Sequence, residues 1–349
     1  MDWNSDILSR RTFLRAMSAA SAFTWAEAPS WAASDPWQDV VRRAQQEGTV
    51  VVYATSSGDA YRPIFDLFTQ RYGIRVLHVG GRGNEFPQRI RTEQIAGRFN
   101  GDVTVNGHGS LIRHAQENNL QPFVDLPNLR HLLPGVVPGK LSVPVFFAAW
   151  AILINTRLVK PGHEPRSWLD MLRPEWRGKI ILDDPRVPSA GSGRFSSMLL
   201  NFGDQYEWRM HAQKPVITMD TGARRRLLLG EFAMMVDGFK FWLDDQKRGG
   251  RLPLRLIIPR EGVISARFDA GMLRNAPHPH AARLFMNFLL SPEIQMLMAA
   301  RGSSPAVQGI AERMPANVRG LFAAPRLKIP PYDPTNAGLR AAQRVYGRL

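Results

Sequence analysis

Short apolar runs alternate with helical stretches along most of this chain. "GTVVVYA" reads as a buried strand and gives way to the polar loop "TSSGD". The following stretch, "AYRPIFDLFTQRYG", repeats its apolar residues at helical spacing, so Tyr61, Ile64, Phe65, Phe68 and Tyr72 share one face. "IRVLHV" reads as the next strand and ends in "GGRGNEF"; "FPQRIRTEQIAG" then reads as a helix with Pro87 in its first turn. "DVTVNG" and the helical "LIRHAQENN" repeat the pattern once more. Strand–loop–helix alternation of this kind predicts α/β units on a largely parallel sheet.

The apolar run "VPVFFAAWAILIN" exceeds the length of an ordinary strand, and we read it as a strand that crosses from one lobe to another. A second α/β series follows in "GKIILDDP", "RFSSMLLNFG", "PVITMD", "ARRRLLLGE" and "FAMMVDG", and the chain returns through "LRLIIPREGVISA". "HPHAARLFMNFLLSPEIQMLMAARG" is strongly helical, and the proline-rich "FAAPRLKIPPYDPTN" leads to a last short helix. A chain that leaves one α/β lobe, builds a second and returns predicts two lobes with a hinge, and a cleft between them for a ligand.

Composition sharpens this only in part. The chain has 349 residues, 44% of them hydrophobic, enough for two lobes with full cores. It contains no cysteine, which removes disulfides, thiolate metal sites and thiol nucleophiles. Its net charge of +15 favours anionic partners. The basic residues form no long tract, and neither zinc-finger spacing nor an RNA-binding aromatic signature accompanies them, so nucleic acid is not a predicted partner. There is no Gly-x-Ser-x-Gly elbow and no His-Glu-x-x-His, and "GGRGNEF" lacks the last glycine of a dinucleotide loop; no catalytic residue, metal ligand or cofactor is assigned. The histidines of "PHPHAA" are two apart at a helix start and point in different directions, so they are read as a helix-start turn; His114 is read as a helix-surface residue.

Near the amino terminus, "LSRRTFLRAM" resembles a twin-arginine export signal, with Arg10 and Arg11 followed by Phe13, Leu14 and Arg15. The apolar stretch behind it is too short to span a bilayer, and small residues end it, which predicts a removable segment over 1–32 cut after Ala32. The expected location is the periplasm, reached through the twin-arginine machinery.

Four loops at strand ends carry candidate ligand contacts. Ser56 and Ser57 lie in the first, Arg82 in the second, Asn106 and His108 in the third, and Ser192 and Arg194 in the second lobe. Glycine in these loops permits close backbone approach, helix starts favour anions, and arginine offers a planar fork to carboxylate or phosphate. This predicts a small anionic solute: a phosphonate, an organic phosphate or a carboxylate. Asp237 beside Phe239 and Trp242 supports a rival, cationic ligand such as a polyamine or thiamine.

Several stretches together resemble the substrate-binding proteins of bacterial ABC importers, in the ferric-iron-binding-like branch of the type 2 periplasmic binding fold. One is "SWLDMLRPEWRGKIILDDP", through Trp168, Asp170, Leu172, Trp176, Gly178, Lys179, Ile180, Asp184 and Pro185. Another is "HPHAARLFMNFLLSPEIQ", through Pro279, Ala281, Ala282, Phe285, Phe288, Ser291, Pro292 and Gln295. The resemblance implies a two-lobed α/β fold in which each lobe is a mostly parallel sheet flanked by helices, joined by hinge strands. The expected boundaries are 33–143 for lobe I, 144–254 for lobe II, 255–310 for the return to lobe I and 311–349 for a tail and helix. It also implies a monomer that hands its solute to a membrane permease and its ATPase. Ferric-binding members carry adjacent tyrosines where this chain has Phe239, Phe241 and Trp242, and a ring without a phenolate oxygen cannot replace that hard ligand. Ferric iron stays an alternative ligand, and an exported cofactor-dependent enzyme the alternative class.

Overall fold

The computed structural model describes residues 36–55, 58–81, 85–187, 189–218, 222–238, 243, 245–246, 249–314, 316–329 and 337–347. The export segment therefore lies outside the described residues. Residues 40–349 form one unit, and the architecture below is that of this unit.

The first part of the chain follows the sequence pattern closely. After helix α1 (Pro36–Glu47) come β1 (Thr49–Thr55), α2 (Gly58–Tyr72), β2 (Arg75–Gly81), α3 (Glu85–Ile95), β3 (Val103–Gly107) and α4 (His108–Gln116). β1 lies between β2 and β3 and is parallel to both. Val50, Val52, Tyr53 and Ala54 are wholly buried, as expected for a strand covered on both faces. Tyr61, Ile64, Phe65 and Phe68 of α2 are buried as their spacing predicts. Phe68 meets Phe285 and Phe288 edge-on at 5.2 Å from a later helix. Each such ring removed from water contributes about 1.5–3 kcal/mol.

β4 (Val143–Asn155) is one strand of 13 residues. Its first half pairs with β9 (Ile264–Met272) and β10 (Ser303–Pro305), and its second half with β7 (Met234–Gly238) and β8 (Leu254–Ile257). Between these lie β5 (Ile180–Asp183), α5 (Ala190–Phe202), α6 (Asp204–Ala212), β6 (Val216–Thr218) and α7 (Ala223–Leu229). The sheet runs β2-β1-β3-β9-β4-β7-β5-β6. Its outer strands are parallel in each half, whereas β9 and β4 run antiparallel to their neighbours. β4 thus links the two halves of the sheet, with β9 beside its first part and β7 beside its second.

The long helical run after residue 278 is two helices, α8 (Pro279–Leu289) and α9 (Pro292–Ala299). Pro292 has no N–H to continue the ladder, so the chain restarts there. His278 caps α8, and its backbone N–H and Nδ1 both meet the Asp102 carboxylate, at 2.8 and 2.9 Å. His280 meets Glu47 through Nδ1 at 2.7 Å. The histidine pair thus builds a helix start.

After α10 (Ala316–Ala323) the tail runs beside Val263. The Val263 N–H donates to the Pro325 carbonyl at 2.7 Å and the Leu327 N–H to the Val263 carbonyl at 2.9 Å. Gly262 makes this approach feasible: it has φ +111°, and a Cβ there would lie 2.4 Å from the Pro325 oxygen. The Lys328 carbonyl then accepts from Ser197 and Asn201 of α5, and α11 (Ala337–Tyr346) packs Ala342, Val345 and Tyr346 against Phe195.

Candidate functional site

The carboxyl end of β3 carries the best-defined site. In the antiparallel register Asn106 stands opposite Asp269 and Gly107 opposite Phe268. Asp269 is fully buried and accepts four hydrogen bonds. Arg267 supplies two, from Nε at 2.6 Å and Nη2 at 2.8 Å. His108 Nδ1 adds one at 2.8 Å and the Ser142 hydroxyl another at 3.1 Å. Burial pushes the Asp269 carboxyl up, but the hydrogen bonds from His108 and Arg267 and the charge of Arg267 outweigh it and hold the group below the usual carboxylate range.

An ionised Asp269 takes the Nδ1–H of His108, which fixes the ring and leaves Nε2 unbonded. The His108 side chain is 39% exposed. It is also the first residue of α4, whose N-cap Gly107 provides no side-chain cap. First-turn N–H groups of a helix have no partner within it, so this end of α4 is open to an anion. The arrangement is a buried carboxylate orienting an exposed imidazole beside a helix start.

In the second half, Arg194 lies elsewhere than the sequence reading put it. Its side chain is only 5% exposed and forms a two-pronged pair with Glu207 of α6, at 2.7 and 3.0 Å. Tyr346 of α11 donates to the same carboxylate at 2.7 Å. Burial alone would lower the Arg194 guanidinium, and the charge of Glu207 overrides it upward. Arg194 is therefore withdrawn from any solute by its internal partner. Ser192 is engaged likewise: its hydroxyl donates to the Ser189 carbonyl at 2.9 Å and accepts from the Ser189 N–H at 3.0 Å, closing a capping box. Gly191 donates to the Asp183 carboxylate at 2.7 Å. A Cβ at Gly191 would lie 2.3 Å from the Asp183 carbonyl oxygen, so glycine is needed for this closeness. The start of α5 is filled by the chain's own oxygens.

Ser56, Ser57 and Arg82 lie outside the described residues, as does the side chain of Asp237; the backbone of Asp237 pairs with Ala151 in β4. Among the described candidates His108 faces this site, whereas Asn106 is 3% exposed and its Oδ1 accepts from the Gly107 N–H at 2.8 Å. Sequence reasoning missed Asp269, Arg267 and Ser142. The alternation Arg267-Phe268-Asp269 in a strand carried a signal, since residues two apart share a face. His114, read as a surface residue, is wholly buried and neither ring nitrogen is hydrogen-bonded. Burial lowers its pKa to about 4.

The matching family model is that of the bacterial extracellular solute-binding proteins, over residues 104–322. The chain belongs to this family. A protein of Salmonella typhimurium called a putative 2-aminoethylphosphonate-binding periplasmic protein is 25% identical over 301 residues, 81% of each chain. Among solved structures, iron-bound HitA from Pseudomonas aeruginosa aligns with a TM-score of 0.71 at 19% identity, covering 85% of this chain and 99% of that one. AfuA from Actinobacillus pleuropneumoniae, with fructose-6-phosphate bound, aligns at 0.66 and 20% identity, covering 85% and 96%. The fold is the two-lobed α/β fold of periplasmic binding proteins. No helix among the described residues is long and apolar enough to cross a membrane.

Proposed function

We propose that this protein is the periplasmic receptor of an ABC import system for a small solute of the phosphonate or phosphate-ester class. The solute sits between a lobe of residues 33–143 with 255–310 and a lobe of residues 144–254, and the closed form hands it unaltered to a permease and its ATPase. The observation that carries the reading is His108: Asp269 fixes its imidazole, and the ring stands at the uncapped start of α4. The net charge of +15 supports an anionic ligand, and the name of the Salmonella protein points to the same chemistry. Arg10 and Arg11 support delivery by the twin-arginine route.

The test is calorimetric titration of the mature chain with 2-aminoethylphosphonate, glycerol phosphate, a polyamine and ferric citrate. A phosphonate or phosphate ester is expected to bind, and His108→Ala to weaken it about tenfold, the loss of one charge-assisted hydrogen bond. Binding of the polyamine or ferric iron alone refutes the anionic solute.

A further inference from the structure

The outer edge of the second half holds a basic concavity that the solute reading does not use. β6 ends the order of the sheet, and beside it lies a cavity of about 570 Å³ lined by Arg177, Arg186, His211, Lys214, Ile217 and Tyr346. The volume falls within the roughly 300–1,000 Å³ of small-molecule sites.

The basic side chains come from four separate segments. Arg177 follows the turn Pro174–Trp176, Arg186 follows β5, His211 is in the last turn of α6, and Lys214 joins α6 to β6. One carboxylate offsets them: Asp184 holds Arg186 through two hydrogen bonds of 2.8 and 2.9 Å. Among the described residues no acid pairs with Arg177, His211 or Lys214. Like charges gathered at one cavity repel each other until an anion enters.

Tyr346 directs its hydroxyl inward to Glu207, and its ring meets His211 at 5.3 Å in an edge-on contact. The rim of Arg177, Arg186 and Lys214 side chains suits a compact anion. The geometry points to a second anion site here, taking a small multiply charged group such as a phosphate ester or a polycarboxylate. It is separate from the His108 site and does not depend on the solute bound there.

The experiment titrates the mature chain with pyrophosphate and with citrate, and follows hydrogen exchange over residues 209–217. The variants are R177A/K214A, which changes two exposed side chains, and H108A. The expected result is saturable binding with slowed exchange in that segment. R177A/K214A weakens it at least tenfold and H108A leaves it intact. Vesicles of phosphatidylglycerol, against phosphatidylcholine, separate the sources. Binding to the anionic vesicles alone, lost in R177A/K214A, upholds the site with a lipid headgroup as its occupant. No saturable binding of any of these probes, binding unchanged in R177A/K214A, or binding lost only in H108A overturns the inference.

Discussion

The pairing of Arg194 with Glu207 allows a quantitative test, because the two charges and the Tyr346 hydroxyl form one buried group. Replacing Glu207 by leucine keeps much of the volume but removes three hydrogen bonds and leaves the Arg194 guanidinium without a carboxylate. Breaking a buried ion pair in this way costs about 3–5 kcal/mol. For a chain of this size that corresponds to a fall in Tm on the order of 10 °C. Arg194→Met together with Glu207→Leu removes both charges, and well-packed apolar replacements of buried pairs are often neutral. The double variant is therefore expected about 1–3 kcal/mol below the parent, the cost of the Tyr346 hydroxyl left without its acceptor, and still more stable than the single variant. Urea unfolding of parent, single and double variants, followed by tryptophan fluorescence, measures the cycle. A single variant within 1 kcal/mol of the parent, or a double as unstable as the single, refutes the argument. Solute affinity of the double variant provides a second reading: it stays unchanged if Arg194 has only a structural role, and a tenfold loss would return Arg194 to the solute site.

Three other outcomes are expected. The unfolded chain holds the His114 proton up to pH near 6.5 and the folded chain only to about 4, so stability falls as pH drops through that window. The full contribution is roughly 3 kcal/mol, and His114→Leu flattens the slope; urea midpoints between pH 4 and 7 with an unchanged slope in the variant reject the assignment. Gly262→Ala brings a Cβ against the Pro325 carbonyl and costs about 1–3 kcal/mol by urea unfolding, with no loss meaning that the tail does not bind Val263 tightly. His108→Ala weakens solute binding while Tm moves by no more than about 2 °C, because the ring is partly exposed; an equal loss of both would make His108 structural.

Much of the architecture was legible because its signals are local. The buried face of α2 and the 13-residue β4 follow from spacing and run length alone. Helix α6 escaped because only Tyr206, Glu207 and Met210 of its nine residues are buried, leaving a short and largely polar pattern. The site was half legible for a similar reason. A loop with Asn106 and His108 announces itself, but its partner Asp269 is some 160 residues away and reaches it only through the β3–β9 register. Arg194 misled because a guanidinium in a serine- and glycine-rich loop has the same local signature whether it faces a solute or a distant glutamate. The glutamate's claim on it is visible only once α5 and α6 are packed.

The docking of α11 onto α5 and α6 has a consequence for biosynthesis. α6 is complete at residue 212, but the helix that covers it begins at residue 337. At translation rates of about 5–20 residues per second, the Glu207 carboxylate waits on the order of ten seconds for Tyr346. During that interval the apolar face of Phe195 and Leu199 lies uncovered, and it seals only after the strands and helices of the first half's return have been made.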